Sequence, residues 1–307
     1  MTIQELRSVP VDRCSLAVVS GYTLMTPTRR LLGSSLYEQR TNSIRQMLAY
    51  TSNVSHAGIR GAGFISPQPV SFWVTDDWSD NFYHWMCNVL PKLEFIDVLF
   101  KEFKPDIYLP RDFEAKNFVK ETISAYPYLN FIFTGKCVFS KISFVQNLSL
   151  PQLHISKFVK LISDRFIEHF GIVEDSSHSR LFFVRKSGAP RSIKNEDAVY
   201  GLLKEFGFEL CEMSELSLRS QIVKSVTAKT IGGPHGANLT CLLFARPGSL
   251  IIEIVDTENP RWVHYKNLAQ TKQLKYLPFH QSTDGDGRFN VDVHRLGKLL
   301  SECNLYL

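Results

Sequence analysis

Ile231-Gly-Gly-Pro-His-Gly-Ala-Asn-Leu-Thr240 is the stretch on which the reading of this chain turns. The run before it, Thr227-Ala-Lys-Thr-Ile231, is threaded with apolar residues and predicts a buried strand. Ala237 to Ala245 predicts a helix, so Gly232, Gly233, Pro234 and Gly236 fall in the turn between the two. Glycine at such a turn allows positive φ and close approach of the backbone to a ligand. A helix starting there offers unpaired N–H groups and the positive end of its dipole, a setting suited to phosphate. His235 and Asn238 add side-chain donors at the same tip. The spacing is neither a Walker A loop nor a Gly-x-Gly-x-x-Gly fingerprint, which removes the usual support for an ATPase or a simple dehydrogenase. An ordinary tight connection would need the same glycines, and the turn alone leaves both readings open.

Outward from this turn, strands alternate with helices. Leu181-Phe-Phe-Val184, Phe208 to Cys211, Leu250 to Val255 and Leu274 to Pro278 read as strands. Helices are expected from Asn195, from Ser217 and over Val291 to Leu300. The first half repeats the alternation. A loop at Pro67 enters a strand reaching Thr75, and a helix over Asp80 to Leu90 ends at Pro91, with Lys92 to Phe100 continuing after a kink. Asp106 to Pro110 is a strand and Phe113 to Ala125 a helix, followed by strand-like Phe131-Ile-Phe, Cys137-Val-Phe and Ile142-Ser-Phe-Val. Such alternation predicts βαβ units and parallel sheets. Gln152 to Phe170 is an amphipathic connector closed by Gly171, and the polar run Glu174 to Ser179 marks a boundary. The expected organisation is two Rossmann-like domains, 1–173 with the connector and 174–307, the terminal helix packing back onto the first. The first forty residues carry no firm pattern.

Bulk properties narrow the function classes. Hydrophobic residues make up 44% and charged residues 21% of the 307, ordinary for a soluble protein. A net charge of +5 fits an anionic small substrate or contact with a membrane surface. It is too dilute for nucleic acid, since no Lys/Arg block clusters on one element. The six cysteines are scattered without metal-finger spacing and read as small buried hydrophobes. The start, Met-Thr-Ile-Gln-Glu, lacks the pattern of a signal peptide, and no apolar run approaches the roughly 18 residues of a membrane span. These features lead us to expect a cytoplasmic protein, working alone or at the inner face of the membrane.

Three groups of residues carry chemistry. In Asp80-Asn-Phe-Tyr-His-Trp-Met-Cys-Asn, Phe82, Trp85, Met86 and Val89 form a buried stripe, while Asn81, His84 and Asn88 line a polar one beside it. That stripe suits either a solvated helix face or a cleft in which His84 acts as general base, with Asp80 or Asp76 in reserve. Arg185 ends the strand Leu181 to Val184, where open α/β sheets bind ligands. Arg191 lies in the loop before the helix that Asn195 is expected to cap. Two arginines across a loop can clamp a diphosphate, or be plain solvated side chains. Glu253, inside the apolar strand Leu250 to Val255, needs a partner: a sugar hydroxyl, an arginine, or a structural ion pair. Asp284-Gly-Asp-Gly-Arg288 lacks the trailing ligands of a calcium loop and reads as a polar turn.

Taken in order, these motifs resemble glycosyltransferase family 61. Asn81-Phe-Tyr-His-Trp with Leu90-Pro91 is similar to the family's first motif, and Arg185 through Arg191-Ser-Ile-Lys-Asn195-Glu-Asp to its second. Leu216-Ser-Leu, Gln221, His235-Gly-Ala-Asn-Leu-Thr240, Phe244, Pro247-Gly248 and Ile252-Glu253 are similar to its third. The likeness is dense from about residue 70 to 280. It implies a GT-B fold, two Rossmann-like domains facing across a cleft. It also implies inverting transfer from a nucleotide sugar, UDP-linked first, to a glycan acceptor in bacterial capsule or lipopolysaccharide biosynthesis, with no metal or cofactor required. By the resemblance, Arg185, Arg191, Asn195, His235, Gly236, Ala237 and Asn238 hold the donor's nucleotide diphosphate and Glu253 touches its ribose or nucleotide end. His84 with Asp80 serves catalysis, and Asn81 and Asn88 face the acceptor. Asn238 stands where many bacterial members have glycine, and Gly-Pro precedes the histidine in a variant form. The expected partners are the donor, the acceptor, and a membrane or polysaccharide-assembly complex, not nucleic acid. A non-catalytic nucleotide-sugar or glycan-binding module is the alternative.

Overall fold

A computed structural model describes residues 11–14, 17–20, 23–25, 63–145, 156–173, 179–259 and 263–304. The boundary stretch 174–178 and the start of the connector, 152–155, lie outside them. The chain is mixed α/β with parallel sheets and divides into two units, 1–150 and 151–307. Among the described residues no helix is long and apolar enough to cross a membrane.

In the first unit the strands, in chain order, are β1 (Val11–Cys14), β2 (Ala17–Ser20), β3 (Thr23–Met25), β4 (Gly63–Ile65), β5 (Ser71–Trp73), β6 (Asp106–Pro110), β7 (Asn130–Thr134), β8 (Cys137–Phe139) and β9 (Ile142–Val145). One sheet has the order β1-β9-β5-β6-β7, with β1 antiparallel to β9 and the other neighbours parallel. A smaller sheet runs β3-β2-β8-β4. Every residue of β5 and β6 is buried, as expected of strands covered on both faces. Trp73, Tyr108, Phe139, Ile142 and Phe144 form one core cluster.

Helix α1 spans 82–100 without the break foreseen at Pro91. Its middle, Trp85–Val89, widens into a π-turn in which the Leu90 N–H donates to the Trp85 carbonyl. Pro91 then sits at the start of the final segment, Leu90–Phe100, where its missing N–H costs little. Trp85 is fully buried, its Nε1–H donating to Thr122 Oγ1 at 2.8 Å from helix α2 (Asn117–Ile123), with Phe113 and Phe118 against its ring. Cys87, Cys137, Cys211 and Cys241 are buried free thiols, and burial pushes each above its ordinary value.

The second unit holds β10 (Ser179–Phe183), β11 (Phe208–Cys211), β12 (Ala228–Pro234), β13 (Leu250–Asp256) and β14 (Lys275–Gln281). They form one all-parallel sheet in the order β11-β10-β12-β13-β14. Its helices are α3 (Ser156–His169), α4 (Glu196–Glu205), α5 (Leu218–Thr227), α6 (His264–Thr271) and α7 (Val293–Asn304). Phe182, Ile252, Ile254 and Phe279 meet Val199 and Leu203 of α4 and Leu296 and Leu300 of α7 in one core. The terminal helix thus buries its apolar face within this unit, where the sequence reading sends it back onto the first domain. Segment 237–244, packed with α3, α5 and α6, forms the other layer, Phe166 of α3 meeting Phe244 edge-on at 6.3 Å. The connector helix α3 therefore belongs to the second unit by its packing. Strand order reverses between β10 and β12, the switch point outside which doubly wound sheets bind ligands.

Two glycines of the deciding stretch serve the sheet. Gly232 and Gly233 lie inside β12, not in a turn, and have no left-handed φ. A Cβ on Gly233 would stand 2.9 Å from the Phe183 carbonyl oxygen of β10, and one on Gly232 would meet the Phe182 ring at 2.7 Å. The backbone oxygen cannot yield as a ring can. Gly233→Ala is therefore expected to lower stability by about 1–3 kcal/mol, read as a drop in Tm. An unchanged Tm would show that the strands can separate freely.

Candidate functional site

At the carboxyl ends of β10 and β12 the chain gathers its cations. Arg185 follows β10, and its guanidinium lies against Gly236, where an added Cβ would be only 1.9 Å from Nη1. Gly236 is extended, with φ 167°, so its lack of a side chain serves the arginine rather than the backbone. Burial, and after it the neighbouring charge of Arg191, hold Arg185 below its ordinary value, while Tyr265 and Glu212 oppose them. Arg185 Nε is buried without a hydrogen-bond partner. A like-charged, partly desolvated arginine pair has an electrostatic cost that a bound polyanion would remove.

Arg191 has φ 66°, a left-handed conformation uncommon outside glycine. Such strain amounts to about 1–3 kcal/mol and persists only where the surroundings enforce it. Here the Arg191 N–H donates to the Gly287 carbonyl at 2.7 Å and the Lys194 N–H to that of Phe289 at 2.8 Å. Lys194 Nζ lies 2.6 Å from Asp284 and 3.2 Å from Asp286. The Asp284-Gly-Asp-Gly-Arg288 turn thus buttresses the arginine loop.

His235 is 5% exposed at the end of β12, its Nδ1 2.5 Å from Glu253 Oε1. Tyr276 O–H donates to Glu253 Oε2, also at 2.5 Å. Burial and the Glu253 charge push the Tyr276 phenol up. Glu253 is 0% exposed, with one oxygen against the His235 ring and the other accepting from Tyr276. The carboxylate sits at Nδ1, so the Nε2 edge of the ring faces away from it. Glu253→Ala would take the carboxylate from buried His235 Nδ1 and from the half-buried Tyr276 O–H, at a cost of about 1–3 kcal/mol. We expect a lower Tm together with weakened nucleotide affinity. Retained affinity in the folded variant would separate His235 from ligand binding.

Three further expectations change. Ala237–Phe244 winds as 3-10 turns rather than an α-helix, and the Leu239 N–H is already given to the Gly236 carbonyl at 2.9 Å. Asn238 Nδ2 donates to the Val184 carbonyl at 3.0 Å and to Glu212 Oε1 at 3.4 Å. Its side chain ties the ends of β10 and β11 together beneath Arg185. Asn195 makes no capping bond, its amide instead clamping Val291 through two hydrogen bonds, Nδ2 to the carbonyl at 2.8 Å and Oδ1 from the N–H at 2.9 Å. The sequence reading missed Glu212 and Tyr276. Tyr276 was discoverable: it pairs with Ile251 across β13 and β14, on the same face as Glu253, which needed a donor.

In the first unit, His84 is half-buried on α1 and hydrogen-bonded to Asn88, itself 4% exposed. Asn88 thus contacts the base candidate directly. Burial lowers His84 below its ordinary 6.5, outweighing the attraction of Asp76 and Asp80. Its ring is neutral at pH 7, with a lone pair available. Asn81 caps α1, Oδ1 accepting from the Tyr83 N–H at 2.9 Å. Asp76 is buried, and its Oδ1 accepts from Ser79 Oγ and the Trp78 N–H. Behind it Lys92, fully buried, donates to the Val74 carbonyl at 3.0 Å, and burial pulls it down to about 8.

The parallel sheet of the second unit, with arginines at its switch point, and the α/β first unit define a Rossmann-like protein. The chain belongs to glycosyltransferase family 61: the family model described as Glycosyltransferase 61 matches residues 82–252. No curated protein matches it. As a glycosyltransferase it binds a sugar donor and an acceptor.

Proposed function

We propose that this protein is an inverting glycosyltransferase of the GT-B arrangement, transferring a sugar from a nucleotide-sugar donor, UDP-linked first, to a glycan acceptor in bacterial capsule or lipopolysaccharide assembly. The observation that carries the reading is the pair of neighbouring arginines, Arg185 and Arg191, beside His235 at the β10–β12 switch point. The acceptor hydroxyl gives its proton to the His84 ring, and its oxygen attacks the anomeric carbon from the face opposite the diphosphate. The bond from that carbon to the phosphate oxygen breaks, and its electron pair leaves with the diphosphate. Arg185, Arg191 and the His235 ring take up the developing charge without a metal ion, electrostatic stabilisation of the kind that dominates many enzymic rate enhancements. Glu253 and Asn238 keep those groups in place. The reaction belongs at the cytoplasmic face of the membrane, where activated sugars are made.

Thermal-shift screening of UDP-, GDP- and CMP-sugars tests the reading, because a ligand that binds only the native state raises its stability. One donor class should raise Tm and slowly release free nucleoside diphosphate. No stabilisation and no release across the panel would contradict it.

A further inference from the structure

Trp78 is 40% exposed, whereas Trp73 and Trp85 are buried. Single exposed apolar side chains are common on protein surfaces, so exposure alone says little. The indole, however, lies against the base candidate, its ring 5.8 Å from that of His84 and tilted by 34°. The turn that carries it is tied from several directions. The Trp78 N–H donates to Asp76 Oδ1 at 3.1 Å, Ser79 Oγ–H to the same oxygen at 2.8 Å, and the Asn81 N–H to the Trp78 carbonyl at 3.0 Å. The turn's backbone is fixed, and a tryptophan side chain has only two rotatable bonds to order on binding. Its exposed neighbours in sequence, Asp80 and Asn81, are polar. An apolar flat face bordered by hydrogen-bonding groups matches a pyranose ring, whose C–H face is apolar and whose edge is all hydroxyl.

We propose that Trp78 is the platform on which the acceptor sugar stacks, setting one hydroxyl toward His84. This rests on the base role of His84, and it names the acceptor's chemistry: a pyranoside with one uninterrupted C–H face.

The probes are the methyl glycosides of glucose, galactose, mannose and N-acetylglucosamine. Tryptophan emission of the whole chain should be quenched by at least one of them, and the quenching should vanish in Trp78→Phe. For the glycoside that accepts sugar, Trp78→Ala should raise the acceptor KM roughly tenfold, leaving donor KM unchanged, and Trp78→Phe should recover part of the loss. Quenching by none of the glycosides, quenching retained in Trp78→Phe, or an unchanged acceptor KM in Trp78→Ala would overturn the platform. Absent donor hydrolysis in wild type would instead strike the transferase reading, and the fluorescence arm would still decide the fate of Trp78.

Discussion

Arg185→Ala is expected to cut kcat by about 100- to 1,000-fold in a protein that melts no lower than wild type. The two halves of that expectation have one cause. Arg185 lies partly buried beside Arg191, with its Nε lacking a partner. Removing it relieves repulsion and a desolvation cost in the free protein, so stability holds or rises. The same removal takes from the transition state a donor aimed at the leaving diphosphate. Residues kept for function commonly show this opposition of stability and activity. Gly236 supplies an independent check, because a methyl group there must push Nη1 aside. A Gly236→Ala protein should therefore resemble Arg185→Ala in kinetics, although it retains the arginine. An Arg185→Ala protein with wild-type kcat would remove the charge-stabilising role.

His84→Ala is expected to lower kcat by about 100- to 10,000-fold while leaving the affinity for nucleoside diphosphate unchanged. The pH profile carries the sign. Burial depresses the His84 ring below 6.5 despite Asp76 and Asp80, so the lone pair is present at neutral pH. The acid limb of the rate should have its midpoint below pH 6.5, where the ring takes up a proton. Asp80→Asn removes one of the charges that favour the protonated ring, and should shift the declining limb to still lower pH. A limb that moves upward, or a His84→Ala protein losing rate and donor affinity in equal measure, would assign His84 elsewhere.

Much of the second unit was legible because parallel strands buried on both faces read as short apolar runs. β10 to β14 fall close to where those runs lie, and the cations at their carboxyl ends follow from strand polarity alone. What resisted reading was which partner each side chain would choose. Asn195 looked like a cap and instead grips Val291, a residue 96 positions away, through a contact no local pattern encodes. Glu253 announced that it needed a partner, yet His235 and Tyr276 come from the two strands beside its own. The glycines illustrate a subtler miss. Local propensity suggests a turn, but Gly232 and Gly233 are small because β10 passes close by, and Gly236 because Arg185 does. Helix α6 escaped because its sequence, His264-Tyr-Lys-Asn-Leu-Ala-Gln-Thr271, buries only Tyr265, Leu268 and Ala269, too sparse a stripe to stand out. In the first unit, Pro91 correctly signalled an irregularity in α1, but a π-turn absorbed it without ending the helix.

The most direct test is a crystal structure of the protein with a nucleoside diphosphate bound. We predict phosphate oxygens about 3 Å from the guanidinium groups of Arg185 and Arg191 and from His235 Nε2, beyond the ends of β10 and β12. A diphosphate seated elsewhere, with those three side chains untouched, would contradict the account.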